Sequence, residues 1–192
     1  MGAVESQERA FPALTGDELN MLTTATKYSS EEILALHSQF YSSLPSGAID
    51  YAVFTTALRF FGISDGVVTK ALFRGFDANG DGLITFSEFT RSMSVMTRGT
   101  NAEKIQLAFE ILDVHQQGLV TMQTVIPLLE GLQGVVKRFT PYHEGRSAGA
   151  AAGVEAQDVA SLLFHRQSAM TREEFRELVR TSDFLLKGLA LR

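Results

Sequence analysis

Residues 77–88 read Asp-Ala-Asn-Gly-Asp-Gly-Leu-Ile-Thr-Phe-Ser-Glu, with oxygen-bearing side chains at the first, third, fifth, ninth and twelfth places. That spacing suits a hard dication, because Ca²⁺ takes about 6–8 oxygens at roughly 2.3–2.6 Å in a flexible shell. Asp77, Asn79, Asp81, the Leu83 carbonyl, a water held by Thr85 and both oxygens of Glu88 supply such a set, with three carboxylates facing one cation. Gly82 falls where the chain must reverse between two ligands, in backbone space that a side chain would obstruct. Ile84 then points inward and can pair its backbone with the equivalent residue of a neighbouring loop. A bidentate Glu88 favours the larger Ca²⁺, although Mg²⁺ at cellular concentration can occupy the same site at rest. The competing reading is a solvated polar turn between two core helices.

The elements that must hold this loop are helical and repeated. Apolar helix, glycine, small turn, β-branched residue and second apolar helix recur with Ile49, Ile84 and Val120 at the turns, 35 and 36 residues apart. A fixed period of this size means one supersecondary unit copied in tandem. A fourth, damaged copy centres on Met170, which makes two pairs. Leu72, Phe73 and Phe76 before the middle turn, and Phe86, Phe89, Met93 and Met96 after it, follow helical spacing; so do Phe54, Leu58 and Phe61, and Ile105, Ala108, Phe109 and Leu112. The chain is therefore expected to be all-α.

These features resemble the EF-hand superfamily and, within it, the neuronal calcium sensor family that includes the recoverins. Phe40-Tyr41-Ser42-Ser43-Leu44-Pro45-Ser46-Gly47 is similar to the inactive first loop of that family, with Leu44 where a Cys is usual. The segment Phe73 to Met96 looks like its second hand. Arg98-Gly99-Thr100, followed by Glu103-Lys104, Ala108-Phe109 and Asp113, looks like its inter-lobe linker and third entering helix. The resemblance is good over about residues 28–132 and poor beyond. It implies two EF-hand lobes, four hands in all, with short β-ladders between paired loops: an arm over 1–27, an N-lobe over 28–98 and a C-lobe over 99–192.

Three of the four loops depart from the ligand pattern. The third, Asp113 to Thr124, carries His115 and Gln117 where oxygen anions belong and Thr124 where a bidentate Glu should close the shell. The fourth copy, Val159 to Phe175, keeps Glu174-Phe175 but is about four residues too short for the cradle. The first ends at Val53, retains only the Asp50 carboxylate and is stiffened by Pro45. One metal site is expected.

Composition narrows the function. The 192 residues are 45% hydrophobic and 20% charged, ample for a core, and the net charge of −5 is the wrong sign for nucleic-acid binding. There is no Cys, which removes disulfides, thiolate nucleophiles and Cys-ligated zinc. His37, His115, His143 and His165 are accompanied by no Gly-x-Ser-x-Gly elbow and no Walker phosphate loop, so no enzyme is expected. No secretory leader or membrane span is read, which suits a cytoplasmic protein. The glycine-rich, small-residue stretch of about 134–157, including Gly149 and Gly153, reads as a flexible insert, and the apolar tail from Ser182 to Arg192 as a short C-terminal helix, either a permanent cap on the second lobe or a lid competing with a partner.

The expected role is a calcium sensor. Cation capture draws Glu88 inward and swings the exit helix with Phe89, Met93 and Met96, opening an apolar groove for a target protein's helix. The groove residues are Phe40, Phe54, Leu58, Phe61, Phe73, Phe76, Phe89, Met93 and Met96. Met1-Gly2-x-x-x-Ser6 fits the N-myristoylation pattern at Gly2, which would give reversible peripheral membrane association. The alternative is a constitutive calcineurin-B-like or light-chain-like subunit whose metal is structural or absent.

Overall fold

The computed structural model describes residues 12–139, 156–164 and 167–181. Among them lie α1 (Gly16–Ala25), α2 (Ser30–Ser43), β1 (Ala48–Asp50), α3 (Tyr51–Phe60), α4 (Gly66–Phe76), β2 (Leu83–Thr85), α5 (Phe86–Arg98), α6 (Asn101–Leu112), β3 (Leu119–Thr121), α7 (Met122–Phe139), α8 (Ala156–Phe164), β4 (Ala169–Thr171) and α9 (Arg172–Thr181). Most of the helices start on a side-chain cap. Thr15, Ser29, Thr85 and Thr100 each accept from the backbone N–H three residues on, where Glu18, Glu32, Glu88 and Glu103 reach back to the cap's own N–H. This reciprocal arrangement satisfies two of the orphan donors at a helix start.

The loops pair as the repeat implied. β1 and β2 are antiparallel with Ile49 opposite Ile84, and β3 and β4 are antiparallel with Val120 opposite Met170. Ile49, Ile84, Val120 and Met170 are all buried, so each short ladder closes the top of a core. The N-lobe core gathers Leu22, Ile33, Phe40, Ile49, Phe54, Phe73, Phe76, Ile84 and Phe86; the C-lobe core gathers Ile105, Phe109, Val120, Val125, Phe164, Met170, Phe175 and Val179. A third cluster, Val68, Ala71 and Leu128, lies between them, where α4 packs on α6 and α7.

Two expectations about segment boundaries change. The arm over 1–27 is not an appendage throughout, because α1 belongs to the N-lobe: Leu22 is buried in its core and Leu14 and Leu19 pack beside it. Apolar side chains at i, i+3 spacing behind a capping box need a surface to cover, and α2 and α5 provide it. Of the stretch read as an insert, about 134–157, residues 134–139 belong to α7 and 156–157 to α8. α7 continues to Phe139, following the helical spacing of Leu128, Leu132, Val135 and Phe139, and α8 starts at Ala156. The tail 182–192 and the glycine-rich 140–155 lie outside the described residues, as do His143 and His165.

Candidate metal centre

Loop 77–88 is folded around its own carboxylates. Asp77, the C-cap of α4, is 5% exposed; its Oδ1 accepts from the N–H groups of Gly80 (2.9 Å) and Asp81 (3.1 Å), and its Oδ2 from Gly82 (2.9 Å). Gly80 and Gly82 both hold positive φ, +73° and +84°, a region glycine enters without strain. Asn79 Oδ1 and Asp81 Oδ1 accept from the N–H groups of Asp81 and Leu83, so each turn of the loop is pinned by the side chain that opens it.

Glu88 closes the ring. Its Oε2 caps α5 by accepting from the Thr85 N–H (2.9 Å) and hydroxyl (2.7 Å), while Oε1 crosses the loop to accept from the N–H groups of Ala78 (3.1 Å) and Asn79 (3.3 Å). The twelfth residue thus already reaches the second and third. Leu83 lies on β2 opposite Asp50, in the ladder that fixes the loop's far side. Among the described residues no three carboxylate or imidazole groups converge on one point. The Asp77 and Glu88 carboxylates accept from backbone N–H groups, and the Asn79 amide donates to Asp81 Oδ2 at 2.9 Å. The donor set nevertheless fits a hard cation: every polar side chain named is an oxygen donor, the backbone reversal is made, and ligation requires only that oxygens exchange N–H partners for the ion.

The other loops use the same residues differently. Asp50 is the N-cap of α3, accepting from the Val53 N–H at 2.8 Å. Asp113 accepts from Gln117 (3.0 Å) and Gly118 (2.7 Å) as Asp77 does in its own loop, but Thr124 in the closing position bonds to Thr121 and reaches no further. Helix α8 ends at Phe164 and β4 begins at Ala169, a short crossing for the fourth turn.

The stripe expected to line a groove is divided. Phe40, Phe54, Phe73 and Phe76 are core, with Leu58, Phe89 and Met93 packed against them; Phe61 and Met96 are exposed, at 71% and 47%. Phe40 meets Phe86 and Phe89, and Phe54 meets Phe73 and Phe76, with ring centroids 5.4–5.6 Å apart. Such tilted and edge-on pairs hold α2 to α5 and α3 to α4 in this conformation. Phe60, which sequence reasoning did not single out, is 86% exposed beside Phe61. His37 lies edge-on to Phe86 at 5.0 Å, and burial pushes its pKa down against the opposing charge of Glu18.

At the far end of α5 the Arg98 guanidinium grips Glu32 of α2 with both nitrogens, donates to the Lys27 carbonyl at 3.0 Å and covers the Tyr28 ring at 4.6 Å. Lys27 in turn pairs with Glu103 of α6 at 3.4 Å. The hydrogen bond from Arg98, followed by that from the Ser29 N–H, lowers the Glu32 pKa from 4.5 to about 2. A depressed carboxylate stabilises the fold above its unfolded-state value and loses that contribution as pH falls through the folded-state value. The α2 to α5 tie should therefore weaken between pH 4.5 and 2. Carboxyl NMR titration checks it: Glu32 should titrate near 2, and Arg98→Gln should return it towards 4.5.

Gly2 lies outside the described residues. No family model matches the chain. It is 34% identical over 126 residues, 66% of its length, to the calcium-binding protein NCSA of Dictyostelium discoideum, covering 68% of that protein. It is 30% identical over 131 residues, 67% of its length, to human recoverin, covering 64% of that protein. The chain thus spans about two thirds of each, and somewhat less than that for recoverin.

Proposed function

From its place in the neuronal calcium sensor family, to which the chain belongs, we propose that it is a calcium-responsive regulator with one cation site, loop 77–88, and one target-binding face on the N-lobe. The single observation that carries the reading is Glu88 already spanning its loop, joined at one end to the start of α5 and at the other to Ala78 and Asn79. Asp77, Asn79, Asp81, the Leu83 carbonyl, a water on Thr85 and both Glu88 oxygens form the ligand set. The bound ion supplies positive charge that lets these oxygens approach one another. When Glu88 gives up its N–H partners to ligate, the start of α5 moves with it. Phe89, Met93 and Met96 ride on that helix, so its rotation unpacks Phe89 and Met93 from the N-lobe core and joins them, with the already exposed Met96, to the exposed Phe61.

The groove is therefore a property of the open form, and its occupant is an amphipathic helix of a target protein. Retention on a phenyl resin in Ca²⁺ with release by chelator tests this. Phe61→Ser should weaken retention while leaving thermal stability within about 0.5 kcal/mol, as expected of an exposed side chain. Equal behaviour in Ca²⁺ and chelator would select the constitutive-subunit reading, which the side-chain-capped first loop and self-closed third loop favour. The regulator acts without catalysis, in the cytoplasm and peripherally on membranes through a myristoyl group on Gly2. Among the described residues no helix is long and apolar enough to cross a membrane. A single acyl chain binds bilayers at about 10⁴ M⁻¹, so that attachment is reversible, and Gly2→Ala should abolish vesicle sedimentation.

A further inference from the structure

The entering helices of the second and third hands, α4 and α6, meet across the boundary between the lobes. A methyl group added at Gly75 would overlap the Ile111 side chain, so glycine is what allows the two helices this approach. Beside that contact Arg74 reaches from α4 to the end of α6, and its Nη2 donates to the Ile111 carbonyl at 2.8 Å. Its Nε is buried and makes no hydrogen bond within the protein.

The two residues joined are not arbitrary points on their helices. Arg74 stands three residues before Asp77, which opens the second loop; Ile111 stands two before Asp113, which opens the third. Asp113 is 7% exposed, and its two oxygens hold Gln117 and Gly118 in the turn. That loop has no closing carboxylate and no full ligand set for a cation of its own. Burial works against the Arg74 charge while Asp113 works in its favour, which places the guanidinium in the field of the carboxylate. A half-buried charge with an unsatisfied donor is a costly residue to keep unless it holds something.

We propose that Arg74 is a positioning residue that couples the lobes: it supplies the third loop with the positive charge a metal would otherwise bring, and makes the order of that loop follow the state of the second. The second half of this rests on the cation reading of loop 77–88. The Asp77 N–H is bonded to the Phe73 carbonyl, so fixing Asp77 fixes the last turn of α4, where Arg74 is mounted. A firmer α4 terminus holds the guanidinium on the Ile111 carbonyl, within the field of Asp113. Coupling here runs through the contact of α4 with α6, a link for which a physical test exists.

The test is amide hydrogen exchange on the full chain in chelator and in saturating Ca²⁺, beside calorimetry of the same samples. In chelator, Arg74→Met should exchange roughly fivefold or more faster than wild type at Gln117 and Gly118. In wild type, Ca²⁺ should slow those two amides by a similar factor, roughly fivefold or more, although the ion binds elsewhere. Arg74→Met should still give Ca²⁺ heat and yet lose that remote slowing, and Arg74→Lys, which keeps the charge without the fork, should restore part of it. If Arg74→Met does not fold, Arg74→Lys and Arg74→Gln decide the same comparison by their order. Equal exchange in wild type and the variants, or calcium heat in wild type without remote slowing, overturns the coupling. Absence of any heat in wild type instead overturns the cation reading, and the chelator comparison still decides whether Arg74 holds the third loop.

Discussion

Glu88→Gln should lower Ca²⁺ affinity by about two orders of magnitude or more, because it removes one of three carboxylate charges and the bidentate ligand that closes the shell. The substitution is informative because it separates two roles of one side chain. Glu88 both caps α5, through Thr85, and crosses the loop to Ala78 and Asn79. Glutamine at the third helical position caps almost as well, through its remaining oxygen. What it loses are the two cross-loop bonds, worth about 1 kcal/mol together in a partly exposed loop. Thermal unfolding in chelator should therefore shift little, while the calcium-dependent rise in melting temperature disappears. A variant that melts far lower in chelator and retains its calcium response would place the importance of Glu88 in folding alone.

Phe109→Ala should cost about 3–5 kcal/mol, the range for truncating a fully buried aromatic side chain. Phe109 is 1% exposed at the centre of the C-lobe core, tilted against Phe175 with ring centroids 5.7 Å apart and covered by the Arg172 guanidinium at 5.3 Å. The same truncation at Phe54 in the N-lobe should cost a similar amount, but the two losses should respond differently to the ion. Ligand at a thousand times its dissociation constant adds about 4.1 kcal/mol to the fold that binds it. Ca²⁺ should therefore restore most of the loss in Phe54→Ala and much less of that in Phe109→Ala, whose lobe has no complete ligand set. Differential scanning calorimetry of the two variants, each in chelator and in Ca²⁺, reads the contrast directly.

Much of this molecule was legible in its residues, and the parts that were not have identifiable causes. The glycine turn of loop 77–88 and the pairing of Ile49 with Ile84 and Val120 with Met170 follow from a repeat whose turn residues are strongly restricted. Helix α1 had a local signal, Thr15 and Glu18 in capping-box spacing followed by Leu19 and Leu22, which a reading centred on the repeat passes over. The stripe from Phe40 to Met96 shows helical spacing, but spacing cannot say which apolar residues meet each other. Phe54 and Phe61 share a stripe, yet one is core and the other stands past the end of α3 in solvent. Arg74 was the least legible, since its partner is a backbone carbonyl 37 residues away, reached only because Gly75 lets two helices touch.

Calorimetric titration of Ca²⁺ into the chelator-stripped 192-residue chain tests the central claim most directly. One site per chain, with a dissociation constant in the sensor range of about 10⁻⁷–10⁻⁵ M, is the expected result. Two or more sites would mean that a loop read as inactive binds metal after all, and no heat at all would mean that the second loop is a turn held by its own backbone.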